Sequence, residues 1–117
     1  MSKLFSGLYP HNIDISKWDV SNVTTMYEMF DSCADFNCDL NRWNVSNVKD
    51  MSRMFFGCNN FNGDLSSWDV KQVKNMSNMF IHCKSFTGKG LDKWNPIKCK
   101  NMSGMFGNCD EFNCNLN

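Results

Sequence analysis

The sequence predicts an α/β right-handed solenoid of about four and a half coils of 25 to 26 residues, each a short helix plus a short strand. Three observations predict it. The stretch WNVSNVKDMSRMFFGCNNFNGDLSS, Trp43 to Ser67, has a near copy 25 residues earlier and another 25 residues later, and a fourth copy opens at Trp94 after a spacing of 26. A period of that length marks units that bury their apolar faces on one another rather than alone. Apolar residues keep fixed places in every copy, while the residues between them vary. The spacing within a copy shifts from helix-like to strand-like.

Nine columns carry the apolar pattern, represented in the second full copy by Trp43, Val45, Val48, Met51, Met54, Phe55, Cys58, Phe61 and Leu65. In the first full copy Val23, Met26, Met29, Phe30 and Cys33 fall within an arc of about 120° at 100° per residue. They predict about three turns of α-helix from Ser21 or Asn22 to about Cys33. Ser21 and Ser46 fit as N-caps. Ser32, Gly57, His82 and Asn108 stand just before the Cys column, where Gly and Asn suit a left-handed stop. Phe36 to Leu40 and the alternating Trp43-Asn44-Val45 read as extended pieces. Paired strands lie about 4.8 Å apart and helix axes roughly 8–10 Å apart. The expected helices therefore take the longer, convex side and the strands the concave side.

The chain forms one domain over residues 1–117, with coils starting near 1, 18, 43, 68 and 94. Met1, Leu4, Phe5, Leu8, His11 and Ile15 occupy column positions of a worn first copy. Twelve basic residues balance twelve acidic ones, which leaves no electrostatic footprint for nucleic acid. No apolar run reaches the length of a membrane span, and the opening MSKLFSGLYP has no signal-peptide core. Of the seven cysteines, Cys33, Cys58, Cys83 and Cys109 form a core column with one member per coil. That arrangement reads as buried reduced thiols rather than a disulfide framework, and it points to a reducing compartment such as the cytoplasm.

The sharper chemistries fare worse. Cys33 and Cys38, like Cys109 and Cys114, have a C-x4-C spacing, but a ladder of cysteines does not converge on one metal ion. The two histidines, His11 and His82, stand in separate coils, so no nucleophile–base pair is expected. The Asp and Asn columns (Asp14, Asp39, Asp64; Asp19, Asn44, Asp69, Asn95) read as turn chemistry, and the Asn37–Asn62 column as coil-to-coil hydrogen bonding. We expect no catalytic residue, cofactor or metal.

The consensus W-x-V-x-x-V-x-x-M-x-x-M-F-x-x-C-x-x-F-N-x-x-L resembles the repeat of BspA-like surface proteins. It is closer to the twenty-five-residue, domain-of-unknown-function repeat of mycoplasma-type surface lipoproteins, and similar arrays occur in giant-virus and protist proteins. The resemblance implies a leucine-rich-repeat-like solenoid, a binding or adhesion role without catalysis, and a cell-surface location. The expected function is a non-enzymatic repeat scaffold for protein–protein interaction, or alternatively a structural subunit or spacer within a larger assembly. The candidate binding residues are Lys17, Asp19, Arg42, Asn44, Asp69 and Lys93, on the variable ridges flanking the Trp column. The expected partner is protein. Self-association through the C-terminal coil is a second expectation, because Met102, Met105, Phe106, Phe112 and Leu116 keep the internal apolar pattern there without a cap.

Overall fold

A computed structural model describes residues 2–7 and 13–113. The local unit is a four-residue turn that begins and ends on a column residue. In one copy these turns join Leu40 to Trp43, Val45 to Val48, Met51 to Met54, Phe55 to Cys58 and Cys58 to Phe61. In each the second residue's amide donates to the first residue's carbonyl at 3.0–3.2 Å. The pattern recurs in neighbouring copies, for example Leu65–Trp68, Val70–Val73, Met76–Met79 and Phe80–Cys83. The corner side chains of each turn point inward and are buried.

Two of these turns need a left-handed residue in third place. Arg53 (φ 56°) fills it in Met51–Met54 and Gly57 (φ 74°) in Phe55–Cys58, the arrangement of a type II turn. Glu28 and Ser32, Asn78 and His82, and Gly104 and Asn108 repeat it at positive φ. A non-glycine residue held there costs roughly 1–2 kcal/mol. The backbone reversal turns alternate amides out of the layer, where they meet the next one.

The segments 26–32, 51–57, 76–82 and 101–108 therefore stack through a ladder of amides. Phe30 donates to the Met54 carbonyl at 2.9 Å, Phe55 to Met79 at 3.0 Å and Phe80 to Met105 at 2.9 Å. Flanking rungs run Met26 to Asp50, Glu28 to Ser52 and Ser32 to Phe56, with equivalents in later layers. Along these segments donation always runs from the earlier layer to the later one. Outside them most bonds reverse, as in Lys49 to Thr24, Lys74 to Lys49 and Asn60 to Ala34, while Leu65 donates forward to Lys89 at 3.3 Å. Isolated parallel bridges pair Thr25 with Asp50, Asp50 with Asn75, and Asn75 with Asn101.

Aromatic rings then lie over one another. Phe30, Phe55, Phe80 and Phe106 stack with successive centroid separations of 5.7, 5.5 and 5.8 Å. Within a layer, Phe55 and Phe61 face each other at 4.4 Å. Two further column residues tie the layers by side chain. The Trp43 and Trp68 indoles donate to the carbonyls of Ile15 and Leu40 at 2.9 and 3.0 Å. The Cys58 and Cys83 thiols donate to the carbonyls of Phe30 and Phe55 at 3.0 and 2.8 Å. The inserted turn of the third copy packs closely. Gly90 has φ 90°, and a Cβ there would collide with the Ser66 amide, so only glycine fits.

This architecture overturns the expected α/β right-handed leucine-rich-repeat-like solenoid. Among the described residues regular structure is limited to one 3₁₀ turn, Leu91–Lys93, and the isolated bridges. The segment expected as helix from Ser21 or Asn22 to Cys33 has no α-helical bonds, so Ser21 and Ser46 cap no helix. The physical reason is spacing. Neighbouring backbones approach to hydrogen-bond distance, and helices need roughly twice the separation of paired strands. Spacings of three and four fit serial turns as well as a helix face, because each turn puts its first and fourth residues inside. The convex helix side and the concave strand side are absent. With principal extents of 37 × 33 × 20 Å the molecule is a small compact body. The repeat scaffold and the spacer both depended on an extended surface, and both readings go with it. Met1, Leu8, Tyr9, Pro10, His11, Asn12, Cys114, Asn115 and Leu116 lie outside the described residues.

Asn78 separates the two geometries. At φ 57° glycine is at least as comfortable as asparagine, whereas glycine inside a helix costs about 1 kcal/mol relative to alanine. Thermal melts of Asn78→Gly and Asn78→Ala should show glycine at or above wild-type Tm and alanine several degrees lower. The opposite order would favour a helix.

Candidate functional site

The six ridge residues named from sequence, Lys17, Asp19, Arg42, Asn44, Asp69 and Lys93, are all exposed. The structure brings two of them together. Asp69 and Lys93 line a shallow cleft of about 260 Å³ beside Trp68, with Asn95. Lys17, Asp19, Arg42 and Asn44 are not part of that cleft. Asp19 and Asn44 are occupied locally, accepting the amides of Ser21 and Ser46 at 3.0 Å, and Asp69 accepts the Lys71 amide at 3.1 Å. Hydrogen bonds from Ser16, Ser21 and Ser66 hold the carboxyls of Asp14, Asp19 and Asp64 below the usual range. The Asp and Asn columns thus work as turn chemistry. Asn37 and Asn62 bond between layers, accepting the amides of Asn62 and Thr87 at 3.0 Å.

A cluster that the sequence did not reveal joins three layers. Arg53 reaches Glu28 at 3.2 Å and Asp31 at 3.0 Å, and Lys3 approaches Glu28 at 3.7 Å. The Arg53 guanidinium also lies 4.1 Å over the Phe56 ring. Each cation has an acidic neighbour within the molecule, so the cluster closes on itself. Sequence could not pair these residues, because their meeting depends on the stacking register.

The thiol column is chemically quiet. Burial pushes the thiols of Cys58, Cys83 and Cys109 above the ordinary range. His82, beside Cys83 in sequence, directs its ring nitrogen to the Asn108 amide at 3.1 Å, while the Cys83 thiol points to the Phe55 carbonyl.

The two end layers differ from everything between them. Met26, Met51 and Met76 are fully buried, whereas Met102 in the same column is 45% exposed. Leu4, in the column of the buried Met29, Met54 and Met79, is 50% exposed. Among the described residues, the amides of Met102, Gly104, Phe106 and Asn108 find no acceptor. Their counterparts Met76, Asn78, Phe80 and His82 all donate to the next layer. The C-terminal face therefore joins apolar surface to a row of outward amides. At the other end, among the described residues, the carbonyls of Ser2, Leu4 and Ser6 find no donor, although their counterparts Tyr27, Met29 and Asp31 accept from Lys3, Phe5 and Gly7.

The family model described as Mycoplasma protein of unknown function, DUF285, matches residues 1–117. The chain belongs to that family. No curated protein and no solved structure matches it. Family membership supplies no activity. The BspA-like, leucine-rich-repeat architecture implied by the sequence resemblance is corrected, since the helices and strands it requires are absent among the described residues of this DUF285 chain. No helix among them is long and apolar enough to cross a membrane.

Because the buried thiols resist ionisation in the native state, their contribution to stability is fully present below about pH 8.5. It is lost as pH rises and the unfolded thiols ionise first. Urea midpoints should fall between pH 8 and pH 10. At pH 8 a small alkylating reagent should modify half-buried Cys38 in the native protein and reach Cys58 and Cys83 only after denaturation. Rapid native labelling of Cys58 and Cys83 would contradict their burial.

Proposed function

We propose that the protein acts by binding another protein through its C-terminal face, without catalysis. One observation carries this reading: outward amides at Met102, Gly104, Phe106 and Asn108 beside the exposed Met102 side chain. An open edge of this kind accepts a segment of a partner through main-chain hydrogen bonds, and adjacent apolar side chains supply burial. Phe106 and Phe112 are half-buried, though their column neighbours Phe80 and Phe86 are fully buried, so the apolar surface is continuous with the core. The ridge carrying Lys17, Arg42 and Lys93 offers separated charges, and exposed charges of that kind contribute little to affinity. The free thiols Cys58 and Cys83 support a reducing compartment as the place of action.

A photo-crosslinking residue tests the assignment. Placed at position 106 and expressed in the source cell, it should give protein adducts at about ten times the yield of the same residue at position 42. Equal yields from the two positions, or no adduct from position 106, would remove the C-terminal face as the binding surface.

A further inference from the structure

We infer that the C-terminal face takes the N-terminal face of a second copy of this chain, so that copies add head to tail. The inference rests on the binding role assigned above to the C-terminal face, and it names the partner. Three of the four outward amides of one end face, Gly104, Phe106 and Asn108, have carbonyl counterparts on the other, Ser2, Leu4 and Ser6. Along the stacked segments every earlier layer donates and every later layer accepts. The last layer consequently presents amides at Met102, Gly104, Phe106 and Asn108, and the first presents carbonyls at Ser2, Leu4 and Ser6. Setting one face on the other reproduces three of the four rungs that join each interior pair.

The apolar surfaces match in the same register. Phe5 stacks on Phe30 at 5.8 Å, and Phe106 stacks on Phe80 at 5.8 Å. Phe5 of a second copy therefore extends the ring column beyond Phe106 at the spacing already used inside the molecule. Leu4 and Met102, exposed in the single copy at 50% and 45%, both become buried.

Like faces do not fit. Two C-terminal faces brought together set rows of amides against each other, and two N-terminal faces set carbonyl against carbonyl. A two-fold dimer would leave buried polar groups unpaired, which is unfavourable. The contact is thus heterologous, and nothing in its geometry closes it after two copies.

Two lysine substitutions, one per face, decide the matter by sedimentation. Leu4→Lys blocks the N-terminal face and Met102→Lys the C-terminal one, both at exposed positions whose change should leave Tm near wild type. The wild-type mass should climb with concentration past twice 13.5 kDa. Each variant alone should remain at 13.5 kDa, and an equimolar mixture should stop at twice that mass, because each supplies one working face. If Leu4→Lys alone dimerises, the C-terminal faces meet each other and the inference is wrong. A wild type that stays at 13.5 kDa at every concentration also overturns it. The binding reading then survives only if position 106 crosslinks a different protein. Should either variant fail to fold, the crosslinker at position 106 of the otherwise unaltered purified chain gives the answer. Adducts to residues 2–7 of a second copy support head-to-tail addition, and adducts to residues 101–108 overturn it.

Discussion

Backbone amides that leave one layer and end on the carbonyls of the next, at 2.6–3.1 Å from Met26 to His82, set the spacing on which the rest of the molecule depends. That spacing leaves no room for a helix. It brings phenylalanine rings into continuous stacks and places the indoles of Trp43, Trp68 and Trp94 and the thiols of Cys33, Cys58, Cys83 and Cys109 over backbone carbonyls of the preceding layer. The left-handed residues at Glu28, Arg53 and Asn78 are the local strain that makes the ladder available. A backbone without them would keep its amides inside its own turns.

The column residues follow from the same constraint. The Phe30 carbonyl accepts the Cys33 amide within its turn and the Cys58 thiol from the next layer. The Leu40 carbonyl likewise takes the Trp43 amide and the Trp68 indole. Alanine would fill the thiol's place sterically, but it could not donate. Among the described residues no buried side-chain nitrogen or oxygen lacks a hydrogen-bond partner. A core built almost wholly from turns meets the same polar requirements that helices and sheets meet through regular bonding.

The inward positions were legible in the sequence, and the backbone that delivers them was not. Met51, Met54, Phe55 and Cys58 stand at spacings of three and four, which a helix face and two consecutive turns share. The discriminating residues lay between them. Gly57, Asn78 and Asn108 are types that tolerate positive φ, but Glu28 and Arg53 are not, and they disguised the turn. The Asx roles of Asp14, Asp19 and Asp64 followed from residue type alone, since each bonds only two residues on. The Arg53–Glu28–Asp31 cluster and the Asp69–Lys93 cleft depend on register between layers, so composition could not announce them. The uncapped apolar columns around Met102 and Phe106 were visible in sequence. The direction of amide donation, which gives the two ends opposite polarity, is a property of the folded backbone.

One consequence joins fold to function: a ladder with a direction has unlike ends, and unlike ends can select their partners. The claim underneath is that the amides cross between layers instead of closing helical turns. Through-hydrogen-bond couplings between amide nitrogen and carbonyl carbon in the labelled protein measure this directly. The account predicts couplings from Phe30 to Met54, Phe55 to Met79 and Phe80 to Met105, and none from a residue to the fourth residue before it across 21–33. Couplings of the latter kind, with the inter-layer set missing, would contradict it.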